Sequence, residues 1–127
     1  MEFKGRAIVP GGAEGEAVVV DSISFYGEVD PDTGRLADGR SIKGRILIAR
    51  RTRGSTVGSY IIYALAKNGA APKAIIVERA EPIVIVGAIL ASIPLIDTLP
   101  PKFFETVRDG CSITVEGDTV RLLEECG

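Results

Sequence analysis

Two short apolar segments on either side of an amphipathic stretch restrict this chain to a small set of folds. Residues 44–49 end in the apolar run Ile46-Leu47-Ile48-Ala49, and residues 74–77 are apolar throughout. Such runs are typical of strands that are buried on both faces of a sheet. Between them, apolar residues recur at helical spacing at Val57, Ile61, Ala64 and Leu65. This order predicts a right-handed β-α-β crossover, and therefore a largely parallel sheet covered by helices.

The remaining segments predict further strands and one more helix around this crossover. Short apolar runs at 3–9 and 16–20, separated by Pro10-Gly11-Gly12, indicate two strands joined by a hairpin or a barrel corner. Residues 22–41 are rich in turn formers and predict a long loop. The pattern then predicts a helix over 84–92, a strand over 93–96, a turn or single helical turn over 100–104, and a closing hairpin from 112–115 and 119–123.

Length and composition indicate one globular domain. A chain of 127 residues, 46% hydrophobic and 6% aromatic, can bury one core of aliphatic side chains. We therefore expect a single α/β domain over residues 1–127. A net charge of -2 argues against a nucleic-acid binder, because affinity for phosphates needs an excess of Lys and Arg. The longest apolar stretch, 82–94, is shorter than the ~20 residues of a membrane span, and no secretory signal is visible, so we expect a cytoplasmic protein.

The residue types also limit the chemistry that this chain can perform. It contains no histidine, which removes Ser-His-Asp triads and histidine-ligated metal sites. Cys111 and Cys126 are isolated, and we expect reduced thiols rather than zinc or iron-sulfur ligands. Asp30, Asp32 and Asp38 lack the acidic closing residue of a calcium loop. We therefore expect this chain to bind no metal of its own.

The sequence Arg53-Gly54-Ser55-Thr56 lies where the first crossover strand meets its helix. The first turn of a helix exposes unpaired N–H groups and the positive end of the helix dipole, so this position favours a carboxylate or a phosphate. Gly54 would let the backbone approach a ligand closely, while Ser55 and Thr56 would offer hydroxyl groups. Ser55 could equally serve only as the helix N-cap, which is the commonest reason for serine at such a position.

Four arginines form a local basic cluster within this acidic chain. They are Arg45, Arg50, Arg51 and Arg53. Arginine suits forked recognition of carboxylate or phosphate. Alternation along an extended segment would not point all four side chains the same way. We expect Arg53 to contact a ligand because it lies nearest to the helix, and Arg45 to be a solvated charge at the strand end.

Several motifs, spread over almost the whole chain, resemble the swivel domain of the aconitase X group. They are Gly5-Arg6, Gly15-Glu16-Ala17, the segment 23–34, Gly44-Arg45-Ile46-Leu47, Arg53-Gly54-Ser55-Thr56 and Gly69-Ala70-Ala71-Pro72. The resemblance implies a swivelling β/β/α fold like the mobile domain of aconitase. It also implies a heterodimer in which this chain completes the active site of a separate large subunit that holds a four-iron iron-sulfur cluster.

The same resemblance implies a hydro-lyase that dehydrates a phosphorylated hydroxy acid, (R)-5-phosphomevalonate, to trans-anhydromevalonate 5-phosphate. In aconitase-like enzymes a serine after a glycine in this loop removes the proton beside a carboxylate, and the cluster iron assists departure of the hydroxyl. The matching residue here is Ser55, with Arg53, Gly54 and Thr56 as substrate-binding residues. A serine is a poor base in water, so this role requires nearby amides and Arg53 to favour its alkoxide.

Two alternatives to this function remain open at the level of sequence. Residues 36–41 form a shorter loop than is usual in the group and lack its His-Pro element, so the substrate could instead be hydroxyproline, as in relatives of the same architecture. The second alternative is a non-catalytic anion-binding or scaffolding domain in which Ser55 is only a helix cap.

Overall fold

The computed structural model describes residues 1–54 and 57–123 of the chain. Its strands are β1 (Glu2–Lys4), β2 (Arg6–Val9), β3 (Gly12–Ser24), β4 (Ile46–Arg53), β5 (Ala74–Val77), β6 (Leu95–Asp97), β7 (Ser112–Glu116) and β8 (Thr119–Leu122). Its helices are α1 (Phe25–Glu28), α2 (Val57–Lys67), α3 (Pro82–Ala91) and α4 (Pro101–Thr106).

The predicted crossover is confirmed. β4 and β5 pair in parallel, with Leu47 opposite Ile75, and α2 lies between them in sequence. β5 and β6 repeat the pattern with α3 as the connection, and β3 extends the parallel set on the other side of β4. The apolar segments of the sequence are therefore the central parallel strands of the fold.

The described strands form one sheet that curls back on itself. Their order is β1-β8-β7-β3-β4-β5-β6-β2, so both ends of the sheet belong to the N-terminal segment. Only Gly5 separates β1 from β2, which brings the two ends together. A Cβ atom at Gly5 would lie 2.5 Å from the carbonyl oxygen of Asp97, so this corner requires glycine.

Two hydrophobic cores lie on opposite faces of the parallel strands. Along β4, Ile46 and Ile48 pack into the core shared with β1, β7, β8 and α4, whereas Leu47 and Ala49 pack into the core beneath the helices. β3 belongs to both sheet layers, because residues 12–16 pair with β7 and residues 17–24 pair with β4. The result is a β/β/α arrangement, which confirms the predicted fold class.

Some predicted boundaries differ from the structure. The strand predicted over 3–9 is interrupted at Gly5, and the strand predicted over 16–20 is the middle of the longer β3. β2 pairs with β6 and not with β3, so Pro10-Gly11-Gly12 turns a corner and closes no hairpin. The predicted helix over 84–92 corresponds to α3, and the closing hairpin to β7 and β8. These differences arise because strand pairing depends on partners that are distant in sequence.

The expectation of reduced thiols is wrong for Cys111. This residue is buried and disulfide-bonded, and its sulfur also accepts a hydrogen bond from the Arg108 N–H at 3.1 Å. The other cysteine of the sequence, Cys126, lies outside the described residues. Spacing along the chain carried no signal for this bond, because disulfide formation depends on how the fold brings sulfur atoms together.

A buried carboxylate ties β2 to β6. Asp97, the last residue of β6, is fully buried and accepts hydrogen bonds from Arg6 Nε at 3.0 Å and Nη2 at 2.9 Å. The Ala80 N–H at 2.8 Å and the Thr98 hydroxyl at 2.9 Å also donate to it. Burial by itself raises the pKa of Asp97, but the hydrogen bonds outweigh burial and the pKa lies below its ordinary value. Asp97 is therefore ionised at neutral pH.

We expect Asp97→Asn to lower the free energy of unfolding at pH 7 by about 2 kcal/mol, because an amide cannot accept the same charge-assisted hydrogen bonds. The folded-state pKa lies below the unfolded one, so the contribution of Asp97 is present above about pH 4 and is lost as pH falls through the folded value. Urea unfolding between neutral and acidic pH measures both effects.

The matched control for this experiment is Glu2→Gln. Glu2 pairs with Arg121 at 2.8 Å on the surface, and its side chain is 49% exposed. Exposed pairs contribute little, so this variant should lose less than about 1 kcal/mol. If Asp97→Asn lost no more stability than Glu2→Gln, or showed the same acid dependence as the wild type, the assigned role of the buried carboxylate would be wrong.

Candidate functional site

The candidate site lies at the edge where the parallel strands end. β3 and β4 end side by side, with Ser24 opposite Arg53. β5 ends earlier, because its last residue, Val77, pairs with Ala49 of β4. The end of β4 therefore projects beyond β5, and Gly54 is the residue that follows it. Ligands in α/β proteins commonly bind at this edge, outside the carboxyl ends of the strands.

Arg53 is oriented by two acceptors at the end of the neighbouring strand. Its Nε donates a hydrogen bond to Ser22 Oγ at 2.7 Å, and its Nη2 donates to Glu28 Oε2 at 2.6 Å. Arginine has five N–H donors, so three remain unused by the described residues. The side chain is 53% exposed. The guanidinium is thus fixed in direction and still available to an anion from solvent.

Glu28 is held in place by the turn that it belongs to. α1 is a single turn in which Gly27 has a φ of +95°, a conformation that favours glycine. This turn brings Glu28 back to β3, where its Oε1 accepts the Ser24 N–H at 2.9 Å. The hydrogen bond from Arg53 and then that from the Ser24 N–H lower the pKa of Glu28 below its ordinary value. The residue is therefore a carboxylate at neutral pH.

Gly54 occupies a position that other residues would strain. Its φ is +123°, and a Cβ atom built on it would lie 2.9 Å from Ser24 Oγ. That hydroxyl is itself bonded to the Tyr26 carbonyl oxygen at 2.9 Å, so it cannot move away without losing this bond. Glycine lets the chain leave β4 in close contact with the end of β3.

The structure separates the arginines that the sequence groups together. Arg50 lies on the other face of β4, where its guanidinium stands 5.3 Å from the centre of the Phe104 ring and 3.1 Å from Glu78 Oε1. Arg53 faces Glu28 on the helix side. The expectation from strand alternation is therefore confirmed for this pair. Ser55 and Thr56, predicted as base and substrate contact, lie outside the described residues.

Ser22 and Glu28, the two acceptors of Arg53, also line open space. Both border a cavity of about 180 Å³ together with Leu36 and Asp38. Glu28 also borders a larger groove of about 550 Å³ between residues 26–37 and Ile61 of α2. Sequence inspection missed both Ser22 and Glu28, because neither stands near the arginine in the sequence. Arg53 itself lines neither space, so its two acceptors are the part of the site that borders them.

A separate cavity, of about 530 Å³, opens where β5 and β6 end. It is lined by Arg6, Glu78, Arg79, Thr98, Leu99, Pro101 and Phe104. Two of these side chains are already paired, Arg6 with Asp97 and Glu78 with Arg50. Arg53 does not line this cavity, because it points to the opposite face of β4.

Within residues 1–54 and 57–123, no group of three or more His, Cys, Asp or Glu residues could hold a metal ion. No helix in the same part is long and apolar enough to cross a membrane.

The family model described as aconitase X swivel domain matches residues 2–123. An Aeropyrum pernix relative named phosphomevalonate dehydratase small subunit is 61% identical over 93% of this chain and 89% of its own length. A Methanocella arvoryzae relative of the same name is 49% identical over 92% of this chain and 94% of its own. The crystal structure of Thermococcus kodakaraensis aconitase X (holo-form) is similar at a TM-score of 0.91 and 46% identity, covering 98% of this chain and 99% of that chain.

We expect Gly54→Ala to destabilise the chain by about 2 kcal/mol, because alanine at this positive φ is strained and its methyl group would crowd Ser24. Urea unfolding of the full chain measures the loss. Gly12→Ala is the control, since a Cβ there meets only Val115 O at an ordinary 3.7 Å. Equal stability of the two variants would contradict the account of Gly54.

Proposed function

The chain belongs to the aconitase X swivel domain family, and on that premise we propose that it is the small subunit of a hydro-lyase. The reaction is the dehydration of (R)-5-phosphomevalonate to trans-anhydromevalonate 5-phosphate, a step of the archaeal mevalonate pathway to isoprenoids. One observation carries the proposal, namely the high identity to relatives named phosphomevalonate dehydratase small subunit over nearly the whole length of both chains. We also infer that the enzyme acts in the cytoplasm and that the domain extends over residues 1–127.

A small subunit acts with a large one, and we infer a heterodimer in which the large subunit holds a four-iron iron-sulfur cluster. The described residues of this chain do not fit such a cluster, because they contain no suitable group of ligands and Cys111 is disulfide-bonded. We therefore assign this chain no step that goes through the cluster. Its part is to bind and orient the substrate and to move a proton.

Arg53 is the residue that we assign to an anionic group of the substrate. Dehydration of a hydroxy acid removes a proton beside the carboxylate and a hydroxyl from the next carbon, and leaves a double bond and water. The carboxylate gains negative charge as the proton leaves, so a fixed guanidinium near it stabilises the transition state more than the ground state. The exposed and oriented Arg53 supports this role.

We assign Ser55 as the base that removes this proton, with Gly54 and Thr56 as further substrate contacts. For Ser55 and Thr56 the support is the sequence and the family resemblance, since both lie outside the described residues. For Gly54 the support is its position directly after Arg53 and its glycine-specific backbone. A serine acts as a base only where its alkoxide is favoured, and Arg53 supplies positive charge two residues away in the sequence.

Reconstitution with the large subunit tests this function. The two chains are co-expressed, purified without oxygen, and assayed for dehydration of 5-phosphomevalonate and of hydroxyproline. We expect Ser55→Ala to lower kcat by about a thousandfold, in the range of general-base catalysis. Ser112→Ala, a serine of β7 remote from the β4 edge, is the control and should retain the wild-type rate.

Other results of this assay would contradict the assigned base, the substrate or the catalytic function. Wild-type turnover by Ser55→Ala would remove Ser55 as the base, and a loss of only about 1 kcal/mol of stability would indicate a helix cap. Dehydration of hydroxyproline but not of 5-phosphomevalonate would overturn the substrate. An inactive complex would leave the non-catalytic binding domain as the better hypothesis.

A further inference from the structure

The Glu28 carboxylate contacts Arg53, the residue assigned to the anionic group of the substrate. We propose that Glu28 is a positioning residue that holds the Arg53 guanidinium in the orientation in which it binds an oxyanion of the substrate, a carboxylate or a phosphate. This inference rests on the proposed function, because it concerns the same site. Glu28 itself need not touch the substrate.

The hydrogen bonds of Arg53 define the orientation. Ser22 accepts from Nε at 2.7 Å and Glu28 accepts from Nη2 at 2.6 Å. Among the described residues, these two acceptors leave a second Nη2 hydrogen and both Nη1 hydrogens without a partner. Two of the remaining donors can bind a carboxylate or a phosphate in the forked manner that arginine favours. The Arg53 side chain is 53% exposed, which leaves the guanidinium accessible from solvent.

Glu28 is fixed by backbone as well as by side-chain contacts. Its second oxygen accepts the Ser24 N–H at 2.9 Å, and Ser24 is the β3 residue that pairs with Arg53. The position of the carboxylate is therefore set by the register of the two strands. A change at Glu28 should alter the direction of Arg53 without altering the strands themselves.

A purely structural role would explain these contacts less well. The side chains of Arg53 and Glu28 are 53% and 36% exposed, and ion pairs at such positions contribute little to stability. A free arginine, however, loses much rotamer freedom when it binds a ligand. By holding Arg53 in advance, Glu28 would lower that cost at the moment of binding.

The first test measures Glu28→Gln in the reconstituted enzyme. We expect kcat/KM for 5-phosphomevalonate to fall about tenfold, as for the loss of one charge-assisted hydrogen bond. Arg53→Ala should lower it further, and adding Glu28→Gln to Arg53→Ala should change nothing more, because the two residues act as one unit. The thermal unfolding temperature of Glu28→Gln should stay close to that of the wild type.

The second test reads the orientation of Arg53 directly. In ¹⁵N NMR spectra of the full chain, the Arg53 Nη2–H that donates to Glu28 should exchange with water more slowly in the wild type than in Glu28→Gln. Glu2→Gln is the matched control, since it removes a comparable carboxylate–arginine contact, with Arg121, on β1 and β8. It should change neither the Arg53 signal nor kcat/KM.

The inference would be overturned by unchanged kcat/KM in Glu28→Gln, by additive effects of Glu28→Gln and Arg53→Ala, or by an Arg53 signal that is insensitive to Glu28. If instead the proposed function were wrong, the wild-type complex with Glu28 in place would itself not dehydrate 5-phosphomevalonate.

Discussion

The parallel pairing of β3 with β4 is the contact on which the rest of the structure depends. It runs from Ala17 opposite Ile46 to Ser24 opposite Arg53. The first residues of β3 pair instead with β7, so this one strand joins the two layers of the sheet. The same register brings the ends of β3 and β4 together, and with them Glu28 and Arg53. The position of the candidate site is thus a direct consequence of strand pairing.

The alternation of side chains along β4 gives Arg50 and Arg53 different environments. Arg50 stacks on Phe104 and pairs with Glu78 on the face of the core shared with β1, β7, β8 and α4, whereas Arg53 pairs with Glu28 on the helix side. Arg53 is also the one that stands next to Gly54, where the chain leaves the sheet. In a chain with a net charge of -2, such a local guanidinium supplies attraction for an anion that the overall charge does not.

Closure of the sheet depends on a different kind of contact. Asp97 is fully buried, and every acceptor position that it offers is directed at a donor from Arg6, Ala80 or Thr98. Removal of a carboxylate from water is costly, and these hydrogen bonds offset that cost. They also fix β2 against β6, which completes the curl of the sheet that Gly5 makes possible. Stability and closure are therefore linked at one residue.

Local pattern was sufficient to predict the central elements from the sequence, and with them one part of the site. Apolar runs and helical spacing predicted β4, α2 and β5, because burial on both faces of a strand and on one face of a helix leaves a periodic signal. The position of Arg53-Gly54 at the end of β4 followed from the same pattern. Only the tertiary structure revealed that Glu28 orients Arg53, that Arg6 neutralises Asp97 and that Cys111 is disulfide-bonded. The contacts of Glu28 with Arg53 and of Arg6 with Asp97 join residues whose proximity depends on strand register and sheet closure, and neither of these leaves a periodic signal in the sequence.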